Sequence, residues 1–175
     1  MKRTLAAVCL FLPLLASTAW GLDLRQGFGD FRWGQTCHPA VAGPGWVVER
    51  AKPVWDAQVQ LFELQYEPVD QSTGQFVLHY NKDATPTFDG VPLGRTFYGC
   101  DRTNDRFSLV VLSHDLLAVP KLIEKTTALL GPPTNTTMIQ TIWVLPDLYV
   151  QIDQVYMIIY DRRDGKIGKA AAVKK

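Results

Sequence analysis

The stretch that decides the fold is Arg95–Ser113, RTFYGCDRTNDRFSLVVLS, in which two runs rich in β-branched and aromatic residues flank a short polar segment. Residues 95–101 and 106–113 have the composition of strands, and Thr103–Asp105 supplies the residue types that a tight turn requires. The stretch therefore predicts an antiparallel strand pair. Side-chain alternation places three residues on its inward face: Phe107, Leu109 and Val111.

The clearest helix follows this strand pair. Apolar residues from Leu122 to Leu130 recur at helical spacing, Pro120 suits a first helical turn, and Gly131-Pro132-Pro133 ends the pattern. We predict one main amphipathic helix over about residues 117–130, with an apolar stripe that packs on a sheet.

Strand patterns also lie on either side of these central elements. Before them, Val59–Tyr66 and Gln75–Tyr80 are separated by turn residues and predict a hairpin, with His79 on the outer face of the sheet. After the helix, MIQTIWVL, LYVQID and VYMIIYD predict an antiparallel meander with turns at Pro146-Asp147 and near Asp153-Gln154.

Strands, one helix and further strands in this order predict an α+β fold, in which the helix covers one face of an antiparallel sheet. The chain has 175 residues, and 47% of them are hydrophobic, which suits a single soluble domain with its own core. We predict one α+β domain over residues 28–163, without repeats, and a disordered tail over residues 165–175.

The amino terminus has the order of a secretory signal peptide. Lys2 and Arg3 precede an apolar run over residues 5–15, and small residues follow it. Residues 1–19 are therefore predicted to be removed, with cleavage after Ala19 or after Gly21. The apolar run is too short to span a bilayer, so we expect no stable membrane anchor and a periplasmic or secreted protein.

The charge balance bears on the class of partner. Without Lys2 and Arg3 the chain has 16 basic and 17 acidic residues, a net charge near −1. Such a chain has no basic excess to attract nucleic acid, so we expect no nucleic-acid partner.

Two cysteines remain after the predicted cleavage, Cys37 and Cys100, in a compartment where disulfides persist. An even pair favours a disulfide that joins the amino-terminal segment to the middle of the domain. A metal site built on Cys37, His38 and a second histidine is the alternative, but the closely spaced ligand pairs of zinc sites are missing. Free or redox-active thiols also stay open. Nearby, Phe31 and Trp33 are predicted to fill an edge of the core.

Chemical motifs are scarce. Ser113-His114-Asp115 has the letters of a catalytic triad, but sequence neighbours rarely supply its geometry, so Ser113 or Asp115 is interpreted as a helix cap. No nucleophile elbow, phosphate-binding loop or zinc-protease motif occurs in the sequence. We therefore assign no catalytic residue, cofactor or metal ligand. Four late acidic residues do not alternate densely enough for a calcium loop: Asp147, Asp153, Asp161 and Asp164.

Several segments together resemble a family. These are FRWG near the amino terminus, FDGVPLGRTFYGCDRTNDRFSLVVL, the helix end ALLGPP, the strand around Trp143, and VYMIIYD. Their order resembles small exported bacterial α+β proteins and, more remotely, the SmpA/OmlA and β-lactamase-inhibitor-like envelope proteins. The resemblance implies a binding or assembly factor with an envelope protein as partner. The chain departs from the SmpA/OmlA pattern because it lacks a lipobox cysteine.

Two classes of function remain open from the sequence. The first is an exported, non-catalytic binding or envelope-assembly module that acts through a sheet face or through loops such as Pro39–Gly45. The second is a hydrolase-like envelope enzyme whose site is assembled from His79, His114 and acidic residues. A histidine in a pocket, within hydrogen-bond reach of a carboxylate or hydroxyl, would favour the second. Oligomeric state is not predicted.

Overall fold

The structure is a computed structural model that describes residues 23–49, 51–56, 61–65 and 75–164. The predicted signal peptide, residues 1–19, and the predicted tail, residues 165–175, lie outside the described residues. Eight strands form one antiparallel sheet in the order β11-β12-β13-β14-β10-β9-β6-β3. Their bounds are β3 Trp46–Val48, β6 Phe76–Asn81, β9 Thr96–Asp101, β10 Arg106–Ser113, β11 Asn135–Thr136, β12 Thr141–Val144, β13 Leu148–Ile152 and β14 Tyr156–Asp161.

Three small hairpins and one helix accompany this sheet. The hairpins are two-stranded sheets that pair only within themselves in the described part of the chain. The helix, α1, spans Val119–Leu130 and follows a short 3₁₀ turn at Leu116–Ala118. The hairpin strands are β1 Gly27–Phe28 with β2 Phe31–Arg32, β4 Lys52–Asp56 with β5 Leu61–Gln65, and β7 Thr87–Phe88 with β8 Val91–Pro92.

The α+β prediction is confirmed at this level, although strands dominate the fold. The β9–β10 pair, the helix and the β12–β13–β14 meander all form, although β12 begins at Thr141, three residues after the start of its predicted strand. The predicted hairpin between residues 59–66 and 75–80 is wrong. Instead, β5 pairs with β4, and β6 lies between β9 and β3 in the main sheet. Pro53 makes β4 a poor strand pattern, because proline cannot donate to a strand ladder.

Both faces of the sheet are covered. On the first face, α1 and the amino-terminal segment pack over a core that includes Trp143 and Phe107. On the second face, β4 and β5 pack over Phe76, Tyr149 and Tyr160. Within the described residues, the centre of the sheet therefore offers no open face to a partner, which was one form of the predicted binding surface.

A β-bulge in β10 corrects the predicted face of one residue. The pairing runs Phe107 with Cys100 and then Leu109 with Gly99, so that Ser108 is the extra residue. Phe107 consequently packs in the core of the first face, whereas Leu109 packs in the core of the second. Strict alternation predicts Phe107 and Leu109 on the same face of the sheet. The extra residue, Ser108, shifts the alternation by one position, so the two side chains point to opposite faces.

Gln151 fixes the β4–β5 hairpin on the second face. Its buried amide group accepts a hydrogen bond from the backbone N–H of Phe62 at 3.1 Å and donates one to the Phe62 carbonyl at 3.1 Å. The Tyr149 hydroxyl donates to the same amide at 2.9 Å. A polar residue inside an apolar layer thus satisfies the backbone of a strand that lies outside the main sheet.

The Cys37–Cys100 disulfide is present, with the two Cα atoms 5.7 Å apart and a sequence separation of 63. It joins the amino-terminal segment to β9, and both cysteines are buried. Trp33 strengthens the same attachment, because its indole N–H donates to the Leu24 carbonyl at 2.7 Å and its ring stacks on Phe107 at 4.7 Å. The prediction that Phe31 and Trp33 fill the core edge is confirmed.

Removing this disulfide tests how much it contributes to the stability of the fold. We expect the Cys37→Ala, Cys100→Ala double variant to lose about 4 kcal/mol of unfolding free energy, because a 63-residue loop is no longer closed in the unfolded chain. Urea unfolding followed by tryptophan fluorescence measures the loss. His38→Ala, beside the cysteine on the surface, serves as the control and should change stability little. A loss below about 1 kcal/mol would contradict the predicted role.

Candidate binding surface

The histidine beside the disulfide is exposed and does not form a metal site with it. The side chain of His38 is 81% exposed, and its Nδ1 lies 3.6 Å from Asp105 Oδ1. Both sulfurs of the pair are bonded to each other, which leaves no thiolate for a metal. Across the described residues, no group of three or more histidine, cysteine or acidic side chains is placed to hold a metal ion.

His79 is buried, and the prediction of an outer-face position is wrong. Only 7% of its surface is exposed, because the first face of the sheet is covered by the amino-terminal segment. Its ring meets that of His38 edge to face, with centroids 6.5 Å apart. Burial lowers the pKa of His79 below its ordinary 6.5, and His38 lowers it further, while Asp105 opposes the shift.

The triad-like stretch is dispersed by the fold. Ser113 lies at the end of β10, where its Oγ accepts a hydrogen bond from the Arg95 N–H at 2.7 Å. His114 is buried, and its Nδ1 lies 3.1 Å from the carbonyl oxygen of Asp115. Asp115 occupies the N-cap position of the 3₁₀ turn, which agrees with the predicted cap in position, but its side chain makes no capping bond, and α1 itself begins after Ala118.

The late acidic residues also lie apart. Asp153 accepts hydrogen bonds from the backbone N–H groups of Val155 and Tyr156, both at 2.7 Å, and so closes the β13–β14 turn. Asp147 and Asp161 lie at the other end of these strands. Asp161 pairs with Arg163 at 2.7 Å. The side chain of Asp164 lies outside the described part of the structure.

The exposed apolar side chains converge on one end of the sheet. Strand register places three connections there: residues 114–118 after β10, 137–140 between β11 and β12, and 153–155 between β13 and β14. Of the nine exposed large hydrophobic residues in the described chain, these connections carry five. We call this group the apolar end: Leu116, Leu117, Met138, Ile139 and Val155.

The strand order brings these connections close together. Neighbouring strands lie about 4.8 Å apart, so the four strand spacings from β11 to β10 cover about 20 Å. His114 donates its backbone N–H to the Val155 carbonyl at 3.1 Å, which joins two of the connections directly. Leu117 and Met138 are 92% and 100% exposed. The five residues of the apolar end therefore lie on the same side of the molecule.

A groove adjoins the apolar end at Leu117. It lies between the β7–β8 hairpin and the start of α1, and its volume is about 520 Å³. An ion pair crosses it, with Lys125 Nζ 2.8 Å from Asp89 Oδ2. The lining of the groove thus includes the exposed Leu117 and an ion pair, Lys125 with Asp89, whose charges compensate each other.

The Pro39–Gly45 loop, a predicted binding loop, reaches the same end of the sheet. Its last residue precedes β3, and the Gly45 carbonyl accepts a hydrogen bond from the Lys82 N–H at 3.0 Å. Beyond β10, this end becomes polar, with Lys82, Asp83 and Arg95 exposed. An apolar centre with a polar margin is the usual composition of a protein interface.

Sequence reasoning missed the residues of the apolar end. Met138 and Ile139 were included in a predicted strand, but β12 begins at Thr141 and they form the tip of the preceding turn. The available signal is Asn-Thr-Thr before them and Gln140 after them, since polar residues on both sides indicate a turn. Two adjacent apolar residues at such a turn have no core to enter.

Comparison with known proteins gives no relative from which a function could be transferred. No protein-family model matches the chain, and no curated protein or solved structure matches it. Within the described residues, no helix combines the length and the apolar character that crossing a membrane requires.

The buried His79 predicts a pH dependence of stability. Because its pKa is lowered on folding, the folded state binds this proton more weakly than the unfolded state. We expect the free energy of unfolding to fall as pH decreases below 6.5, and His79→Gln to show a flatter profile between pH 7 and about 5. Urea unfolding at each pH measures it.

His38→Gln is the matched variant for this test. It removes only the smaller, electrostatic cause of the lowered pKa and leaves the burial of His79 in place. Its slope should lie between those of the wild type and His79→Gln. Identical slopes for the wild type and His79→Gln would contradict the assignment.

Proposed function

We propose that this protein is an exported, non-catalytic binding or envelope-assembly module that holds a protein partner against its apolar end. The observation that carries the proposal is the placement of five exposed large hydrophobic side chains in three neighbouring connections. Exposed apolar groups that cluster in this way mark interaction surfaces on soluble proteins.

The energetics favour a covered apolar end. Each fully buried leucine, isoleucine or methionine side chain stabilises a contact by about 1.5–3 kcal/mol relative to its exposed state. Several such side chains within about 20 Å could supply the central anchors of an interface. Leu117 and Met138 are the most exposed and therefore have the most surface to lose on binding.

The charges of the apolar end favour a protein over nucleic acid. Its three connections carry two ionisable carboxylates, Asp115 and Asp153, together with His114. Asp153 is already bonded to the β13–β14 turn, and His114 is buried. These three connections present an exposed carboxylate and carry no lysine or arginine, which does not suit a phosphate backbone; Lys82 and Arg95 lie outside them, beyond β10.

The arrangement of the histidines gives no support to the enzyme alternative. Among the described residues, no histidine ring nitrogen forms a hydrogen bond with a carboxylate or a hydroxyl, and the nearest approach is the 3.6 Å contact between His38 and Asp105. Export is part of the proposal, and the buried disulfide agrees with an oxidising compartment.

Site-specific photocrosslinking tests the proposed surface. A benzoyl-phenylalanine introduced at Leu117, Met138 or Val155 should crosslink to one protein in intact cells that export the chain. The same probe at Val48 or Val144 should not, although their exposures of 46% and 41% resemble the 50% of Val155. Mass spectrometry identifies the crosslinked species.

Calorimetric binding to the purified partner then measures how much the apolar end contributes to affinity. The Met138→Ser, Ile139→Ser double variant should weaken affinity at least about tenfold in calorimetry, because central apolar anchors dominate interfaces. Val48→Ser should leave affinity within about twofold. Equal crosslinking at all five positions, or crosslinking to lipid alone, would contradict a protein partner at the apolar end.

A further inference from the structure

The opposite end of the sheet carries a cleft of different chemistry. It has a volume of about 250 Å³ and lies between the amino-terminal segment, the start of β10 and the end of β14. Five residues of its lining carry the inference: Trp33, Arg106, Ser108, Asp161 and Arg163.

Ser108 is the feature that distinguishes this cleft from an ordinary surface depression. It is the extra residue of the β-bulge in β10, it lines the cleft, and only 5% of its surface is exposed. Its buried Oγ has no hydrogen-bond partner within the described residues. Buried hydroxyls are normally paired, and bulges often re-aim a side chain toward a functional site.

The charges of the cleft favour a monoanion. Arg163 Nε donates to Asp161 Oδ1 at 2.7 Å, so these two charges compensate each other. The guanidinium of Arg106 forms no ion pair with a described residue and leaves a single positive charge uncompensated. A planar guanidinium can bind a carboxylate through two parallel hydrogen bonds. A doubly charged phosphate would meet only this one uncompensated positive charge, which matches a carboxylate better.

An aromatic wall completes the cleft. The Trp33 ring lines it and is backed by the fully buried Phe107, on which it stacks with centroids 4.7 Å apart and an interplanar angle of 12°. The stack is held in place by the hydrogen bond from Trp33 to Leu24. A rigid apolar wall beside a cation and a hydroxyl suits a compact organic acid.

We propose that this cleft binds a carboxylate group, with Arg106 as its cationic partner, the Ser108 hydroxyl as an additional donor, and Trp33 against the apolar part of the ligand. The carboxylate belongs either to a free small acid or to the carboxyl terminus of a peptide, because both present the same group. The site is separate from the apolar end and does not depend on the partner proposed there.

Titration of the full mature chain followed by NMR tests the site. Phenylacetate should shift the Trp33 indole signal, assigned with Trp33→Phe, with a Kd of about 1 mM or lower, and the neutral phenylacetamide should not. A short peptide ending in phenylalanine, with a free or an amidated carboxyl terminus, distinguishes the two sources. Tighter binding of the free-carboxylate peptide than of phenylacetate assigns the site to chain ends, and the reverse order assigns it to free acids.

Variants separate binding from folding. Arg106→Gln should weaken phenylacetate binding about tenfold, whereas Arg102→Gln, on the same turn but outside the lining, should not. Ser108→Ala should weaken binding several-fold without lowering Tm, because its hydroxyl has no partner to lose in the fold. Equal binding of phenylacetate and phenylacetamide, equal effects of the two arginine variants, or no shift up to about 10 mM would overturn the proposal.

Discussion

The pairing of β10 with β9 on one side and β14 on the other is the constraint on which the rest of the structure depends. Six consecutive residues of β10, from Phe107 to Leu112, are buried, because the sheet is covered on both faces. Their side chains enter both cores, so a shift of this strand would displace each core at once. The close approach of Gly99 to Leu109 belongs to the same register: a Cβ on Gly99 would lie 2.7 Å from Leu109 Cβ.

Sequence patterns within a short stretch predicted the elements whose structure is determined by neighbouring residues. The β9–β10 pair, α1 and the meander follow from turn residues, helical spacing and runs of β-branched residues. The β4–β5 hairpin and the burial of His79 depend instead on long-range packing, which a single sequence does not encode in its periodicity. The cysteines were found because pairing depends on their number and on the compartment. The apolar end depends on strand register, and the cleft depends on the bulge at Ser108.

The pairing register of the main sheet places an apolar surface at one end and a charged cleft at the other. At one end, three connections expose leucine, methionine, isoleucine and valine; at the other, a bulge and two arginines surround a small cleft. The strands between them have little exposed surface, so a partner at one end and a small acid at the other would not compete. A rigid sheet with different loops at its two ends is a common way to separate functions in a small domain.

The most direct test of the apolar end as a binding surface is oxidative footprinting of its methionine. Met138 is 100% exposed and Met157 is fully buried, so the chain carries both a probe and an internal control. In the purified protein, peroxide should oxidise Met138 and spare Met157. In intact cells that export the chain, we predict that Met138 becomes protected while Met157 stays unchanged. Oxidation of Met138 at the same rate in both settings would contradict a partner at the apolar end.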